Sequence, residues 1–185
     1  MYTFLGQVLL NLLLQTNLAL YVAKSPGVEE HVRRNMLAYV VASFGLILSL
    51  AFSNASQPVR LLLLTAFSAT TGALMSQNVP TKDVLEKVVN IFVAMLAAGV
   101  VSALFGFDLR GLYAAMFIAL LVVLILSIFS RGMNLGTFGT FLFGLFVIVD
   151  TNAILQKNYN GDFVQATLDY FLDFINLLSF VDDNN

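Results

Sequence analysis

The sequence has no cysteine, little charge and a single histidine. Among its 185 residues, 11% are charged, and nine basic residues face eleven acidic ones. Without cysteine the chain forms no disulfide and holds no thiol-ligated metal. Without a basic excess it offers no surface for phosphate backbones, so nucleic acid is not an expected partner. His31 lies in a charged loop, where we expect a solvated side chain rather than a metal ligand.

Apolar residues dominate what is present. They make up 59% of the chain, and the mean hydropathy is +0.87. This composition is far more apolar than that of an ordinary soluble domain, and it predicts a polytopic membrane protein. No Ser/His/Asp set, phosphate-binding glycine loop or His-rich spacing is found, so the sequence does not favour an enzyme.

Six apolar stretches reach the roughly 20 residues that a membrane-spanning helix needs. The first has no basic n-region or cleavage site, so we expect a retained helix rather than a signal peptide. Short polar connections separate the stretches, which predicts one all-α membrane domain over residues 1–185. The predicted spans are Phe4 to Ala23, Met36 to Ser53, Val59 to Gln77, Val88 to Phe107, Leu112 to Phe129 and Leu135 to Leu155.

A seventh segment, from Asp162 to Val181, has a different pattern. At 100° per residue its polar side chains fall on one face of a helix. One interpretation is an amphipathic helix on the membrane surface, although such helices favour basic polar faces. The other is a helix buried within the bundle. The polar face consists of Asp162, Gln165, Asp169, Asp173 and Asn176.

Two aspartates lie in strongly apolar surroundings. Asp150 follows the run FGLFVIV, and Asp173 lies within DYFLDFINLL. Ionisable groups at membrane depth are costly and usually face a bundle interior or a water-filled cavity. The alternatives are an interfacial carboxylate at a helix end for Asp150, and the solvated face of a surface helix for Asp173.

The C-terminal third carries a recognisable pair of motifs. GTFGTFLFGLFVIVDTNAILQ is followed by NGD and then by ATLDYFLDFINLL. An apolar helix ending in Asp-Thr, a short polar loop and a Leu-Asp-Phe-Ile-Asn-Leu core resemble the signature of the transmembrane Bax inhibitor motif family. Softer matches occur in order upstream, at Gln57-Pro58, at Gly72 and in FDLRGL from Phe107, so the resemblance covers most of the chain.

The resemblance implies six transmembrane helices around a seventh, C-terminal helix that is central or re-entrant. It implies a pH-sensitive calcium leak channel, associated in eukaryotes with inhibition of apoptosis. The expected location is the endoplasmic reticulum or Golgi for a eukaryotic or viral protein, and the plasma membrane for a bacterial one. We expect a monomer that contacts the bilayer, calcium ions and other membrane proteins regulating cell death, with calcium as transported ion and no cofactor.

Carried over by motif position, Asp150 and Asp173 are the pH sensor, the ion path and the metal ligands. Two carboxylates held close in a partly desolvated site do not both ionise easily, so they share a proton. Calcium would supply the missing positive charge, and it prefers six to eight oxygen ligands. Asp169, Asn152 and Asn176 are the supporting donors.

One departure from the family pattern concerns a basic residue. Many members have one near the end of the second span that pairs with the first aspartate, but Asn54 stands at that position here. Arg60 lies nearby in sequence and is the candidate replacement.

Two other function classes stay open. A non-conducting protein that regulates partner membrane proteins by helix packing would not need either carboxylate for ion flux. An intramembrane aspartyl protease also uses two membrane aspartates. However, the GxGD element of such proteases lies on an apolar helix, whereas Gly161 and Asp162 lie in a polar loop.

Overall fold

The structure is a computed structural model that describes residues 2–129, 135–157 and 159–182. Over these residues it consists of eight α-helices, and no strand is found there. The helices are α1 (Tyr2–Ala23), α2 (Val28–Arg34), α3 (Met36–Phe52), α4 (Gln57–Met75), α5 (Lys82–Leu104), α6 (Leu112–Phe129), α7 (Gly136–Leu155) and α8 (Phe163–Asp182).

The all-helical prediction is confirmed, and each predicted apolar stretch falls on a helix. The largest difference is at α5, which begins at Lys82 rather than near Val88. Thr81 explains the early start, because its side chain accepts a hydrogen bond of 3.3 Å from the Val84 amide and so caps the helix. The predicted connection SRGMN, residues 130–134, lies outside the described residues.

The connection after α1 was predicted as a loop, but it contains the helix α2. Glu29 and Glu30 lie in its first turn, and Arg33 and Arg34 lie in its last. This arrangement complements the helix dipole at both ends. Asn35 separates α2 from α3, and the two helices meet at 92°.

Length and composition allow four of the described helices to cross a membrane. These are α1, α4, α5 and α7, with a fifth candidate if the bent pair α2 and α3 counts as one span. The predicted count of six spans is therefore not confirmed. Large apolar side chains such as Leu37 and Phe52, 76% and 79% exposed, are what a lipid-facing surface presents.

The described residues divide into two compact units. The first comprises residues 2–5, 80–129, 135–157, 159–161 and 169–182, which include α5, α6, α7 and most of α8. The second comprises residues 6–79 and 162–168, which include most of α1, α2 to α4 and the start of α8.

In the first unit, α5 and α7 pack closely because a glycine lies at their contact. A Cβ atom on Gly99 would lie 2.5 Å from the Thr151 Cβ and 2.7 Å from the Ile148 carbonyl oxygen. Phe92, also on α5, makes edge-to-face contacts with the rings of Tyr170 and Phe174 on α8. These contacts set α7 and α8 against a common helix.

In the second unit, polar contacts join the start of α8 to α1 and α4. The Asn11 amide donates to the Thr167 hydroxyl at 3.3 Å. Arg60 forms an ion pair with Asp162. The other carboxylate oxygen of Asp162 accepts a hydrogen bond of 3.0 Å from the backbone N–H of Gln165 and so caps α8. α8 thus begins at a capped and charge-paired residue.

Most of α8 is buried, including Tyr170, Phe171 and Leu177, none of which is exposed. A helix lying on a membrane surface would leave its polar face in water, yet Asp173 is only 4% exposed. The structure therefore supports the buried interpretation of this segment.

Candidate functional site

Asp150 lies in the last two turns of α7, where the chain stays buried to the end of the helix. Asp150 is 4% exposed, and every residue from Thr151 to Leu155 is buried as well. Asp150 therefore does not extend into water at the end of the helix, as the interfacial alternative would require.

α8 supplies two more acidic side chains of the site and one amide. Asp169, Asp173 and Asn176 are spaced i, i+4 and i+7, which places them on one face of the helix. All three line one cavity together with Asp150. The structure therefore brings together four of the side chains that the sequence singled out.

Asp150 and Asp173 line the same cavity, and each is only 4% exposed. Two ionised carboxylates in one buried site repel each other, so a proton on one of them lowers the cost. The second oxygen of Asp173, Oδ2, is buried and has no hydrogen-bond partner among the described residues.

Two tyrosines complete the polar part of the site. The Tyr113 hydroxyl, on α6, donates to Asp150 Oδ1 at 2.5 Å. The Tyr159 hydroxyl, in the α7–α8 connection, donates to Asp169 Oδ2 at 2.9 Å. Burial, and then the nearby charges of Asp150 and Asp169, raise the pKa of Tyr159 above its usual value. This phenol therefore stays protonated and remains a donor at neutral pH.

We call the space that these residues surround the aspartate cavity. Its volume is about 470 Å³. Its acidic and phenolic groups are Asp150, Asp169, Asp173, Tyr113 and Tyr159. The remaining walls are mainly apolar and are formed by Leu120, Phe143, Phe146, Ala153 and Leu172.

Arg110 is the one basic side chain that lines the aspartate cavity among the described residues. Its guanidinium forms an ion pair with Asp108 at 2.6 Å. Hydrogen bonds from Arg110 hold the pKa of Asp108 at about 2. The positive charge of Arg110 is therefore balanced by Asp108, and the cavity keeps an excess of carboxyl groups.

Asn152 does not line the aspartate cavity. Its amide donates to the Ser102 hydroxyl and to the Phe107 carbonyl, both at 2.9 Å, and its oxygen accepts from the Leu109 amide at 3.3 Å. These bonds fasten the α5–α6 connection to α7. The side chain predicted as a supporting donor is thus engaged in these bonds, outside the cavity.

Arg60 was a candidate partner of Asp150, and the structure gives it other partners. Its guanidinium pairs with Asp162 and donates to the Gln165 side chain at 3.2 Å and to the Leu50 carbonyl at 3.4 Å. Asn54 is exposed in the connection between α3 and α4.

No group of three or more Asp, Glu or His side chains within residues 2–129, 135–157 and 159–182 converges closely enough to hold a metal ion. The aspartate cavity is thus an open acidic space rather than a closed carboxylate cage.

Sequence reasoning missed Tyr113 and Tyr159. Tyr113 begins an apolar helix and Tyr159 lies in a polar loop, so neither interrupts a pattern as a membrane aspartate does. The only available signal was position, since each lies next to a motif that the resemblance had marked, FDLRGL and NGD.

Comparison with known proteins agrees with the sequence motifs. The family model described as inhibitor of apoptosis-promoting Bax1 matches residues 1–181. The chain is 31% identical over 156 residues to the Golgi anti-apoptotic proteins of vaccinia virus strains Lister and LC16m0. These matches cover 77% of this chain and 64% of each relative, so less than two thirds of the length of each viral protein is matched.

Proposed function

This chain belongs to the family described as inhibitor of apoptosis-promoting Bax1, and from that premise we propose that it is a pH-sensitive calcium leak that inhibits cell death. The viral relatives are named Golgi anti-apoptotic proteins, so the Golgi membrane is the proposed location. The proposed arrangement has six spans around α8, with the bent pair α2 and α3 contributing one of them.

The position of Asp150 and Asp173 on one buried cavity is the observation that carries this proposal. Both side chains are 4% exposed, and burial makes two negative charges in one cavity costly. A proton shared by the pair lowers that cost. A calcium ion beside the pair would lower it as well, so protons and calcium compete for the same two carboxyl groups.

The surrounding groups support weak rather than tight ion binding. Calcium prefers six to eight oxygen ligands, and Asp169 and Asn176 add oxygens on the same face of α8. Large parts of the wall are apolar and add none. A leak path needs binding that is favourable enough for entry and weak enough for release, which an incomplete ligand set provides.

Calcium is the cargo in this proposal and no cofactor takes part. The protein would work as a monomer in the bilayer and act on cell death through calcium release or through partner membrane proteins. The proposed function is not enzymatic.

Calcium flux into dye-loaded liposomes, measured from about pH 5 to pH 8, tests the proposal. We expect the wild-type protein to conduct with a pH dependence that Asp150→Asn and Asp173→Asn abolish or shift. The matched control is Asp83→Asn, which neutralises an exposed aspartate at the start of α5 and should leave the profile unchanged.

Two outcomes would favour a different function over the calcium leak. Wild-type flux equal to that of empty liposomes at every pH, with the protein folded, would favour a non-conducting regulator of partner proteins. Cleavage of a transmembrane peptide that depends on both aspartates would favour an intramembrane protease.

A further inference from the structure

The walls of the aspartate cavity combine two kinds of surface. Leu120, Phe143, Phe146 and Leu172 form an apolar part, and Asp150, Asp169 and Asp173 form an acidic part. A bare metal ion would bind only to the acidic part. Covering an apolar wall with apolar atoms removes it from water, which is favourable.

The volume of the cavity also exceeds what one ion needs. At about 470 Å³ it falls within the range of about 300–1,000 Å³ that is typical of small-molecule sites. Such sites have mainly apolar and aromatic walls with a few polar groups that orient the ligand.

One acceptor in this cavity is unused. Asp173 Oδ2 is buried and has no hydrogen-bond partner among the described residues, whereas Asp150 Oδ1 and Asp169 Oδ2 accept from tyrosines. A buried acceptor without a donor is unfavourable. A ligand that donates a hydrogen bond to this oxygen removes that cost.

The net charge of the cavity indicates the charge of the ligand. The cavity has three carboxyl groups and one guanidinium, and Asp108 already balances that guanidinium. A proton on one of these carboxyl groups would still leave an excess of negative charge. A cationic donor is therefore preferred over a neutral donor or an anion.

The geometry points to a binding site for a small organic ammonium ion, with its N–H group on Asp173 Oδ2 and its apolar body against Phe143, Phe146 and Leu172. Tyr113 and Tyr159 supply aromatic rings, which attract cations when the cation lies over the ring face. Ammonium binding at this place would occupy the proposed calcium path, and this consequence for flux rests on the proposed function.

Direct binding tests the site without any ion flux. The probe is 2-phenylethylammonium, which joins one ammonium group to one aromatic ring, and its neutral control is 2-phenylethanol. Isothermal titration calorimetry is done on the purified full chain in zwitterionic detergent, with empty micelles as the blank. Because the neutral alcohol enters micelles more readily, preferential binding of the ammonium reports the protein.

We expect the ammonium to bind wild type at least tenfold more tightly than the alcohol, since charge-assisted hydrogen bonds are about twice as strong as neutral ones. Asp173→Asn and, separately, Asp150→Asn should each weaken ammonium binding by at least about tenfold, and Asp83→Asn should not. Because Asp150 and Asp173 lie on different helices, the test stays valid if one of these two variants fails to fold.

Equal binding of the alcohol and the ammonium would overturn the inference. Wild-type ammonium affinity in folded Asp150→Asn and Asp173→Asn would overturn it as well. A protein that shows pH-dependent calcium flux and binds no ammonium would disprove this site and leave the leak intact. A protein that binds the ammonium and shows no flux would support the site and disprove the leak.

Discussion

The hydroxyl of Tyr113 on α6 donates a hydrogen bond of 2.5 Å to Oδ1 of Asp150 on α7. An ionised carboxylate is the stronger acceptor, so this donor favours the charged form of Asp150. The same carboxyl group lines the aspartate cavity together with Asp173. Tyr113 therefore acts on the acidic pair from outside it.

Replacing this tyrosine should change the pH response of the proposed leak. In Tyr113→Phe the ring stays and the donor is lost, so the ionised carboxylate loses stabilisation and the midpoint of calcium flux moves to higher pH. A hydrogen bond to a charged group contributes about 1.5–3 kcal/mol, so a shift on the order of one pH unit is expected. The flux assay from pH 5 to pH 8 measures this shift, with Tyr21→Phe, at a residue 75% exposed, as the control. An unchanged midpoint would remove Tyr113 from the pH response.

Asp108 should not titrate within the pH range of that response. Arg110 lowers the pKa of Asp108 to about 2, so the carboxylate is ionised in the folded protein throughout the assay range. The unfolded value is near 3.9, and stability linked to this group is lost only as the pH falls below that value. Asp108→Asn would instead act through Arg110, which lines the aspartate cavity. Its unbalanced charge should stabilise the ionised carboxylates and move the flux midpoint to lower pH. An unchanged midpoint would show that the charge of Arg110 does not reach the acidic groups.

The ion pair of Arg60 and Asp162 should stabilise the protein more than an exposed pair does. The side chains of Arg60 and Asp162 are 13% and 31% exposed, and partly buried charges are less screened. A double-mutant cycle with Arg60→Met and Asp162→Asn should give a coupling energy of about 1–3 kcal/mol in denaturant unfolding. Asparagine retains the ability to cap α8, so the cycle isolates the charge interaction.

The exposed pair Glu30 and Arg34 offers the comparison for that cycle. Its side chains are 56% and 73% exposed, and pairs of this kind contribute about 0.3–0.5 kcal/mol. Equal coupling energies in the two cycles would contradict a special role for the Arg60–Asp162 pair.

Gly99 should tolerate no side chain. The methyl group in Gly99→Ala would meet Thr151 and the Ile148 carbonyl at 2.5 and 2.7 Å, so α5 and α7 would have to move apart. Overpacking of this kind costs about 1–3 kcal/mol, measurable as a lower unfolding midpoint in detergent. Gly45→Ala is the matched control, because a Cβ there meets nothing within 4 Å and alanine favours a helix by up to about 1 kcal/mol. If both substitutions stabilise the protein, the close packing of α5 on α7 is wrong.

Helix positions and the two membrane aspartates were predictable because both depend on local composition. A run of about 20 apolar residues has to form a helix in lipid, where backbone groups find no water. An aspartate in such a run is costly enough to stand out. Asp169 and Asn176 followed from helical periodicity, which places residues i, i+4 and i+7 on one face.

Partner choice was not predictable from the sequence. Asn152 looked like a site donor because it lies two residues from Asp150, yet at helical spacing it points away and bonds the α5–α6 connection. Arg60 looked like a partner for Asp150, and its ion pair is with Asp162. Each of these contacts joins residues more than 40 positions apart, and nothing in the local pattern encodes such a distance.

The sequence by itself determined that this is a helical membrane protein of a known family with two costly carboxyl groups. Those conclusions follow from hydropathy and motif spacing, which are properties of neighbouring residues. Only the tertiary structure decided that Asp150 and Asp173 line one cavity, that Tyr113 and Tyr159 donate to the acidic groups, and that one buried oxygen of Asp173 has no donor among the described residues. A hydrogen bond forms only if the donor–acceptor distance lies within a range of a few tenths of an ångström. Between residues far apart in the sequence, the packing of the helices sets that distance.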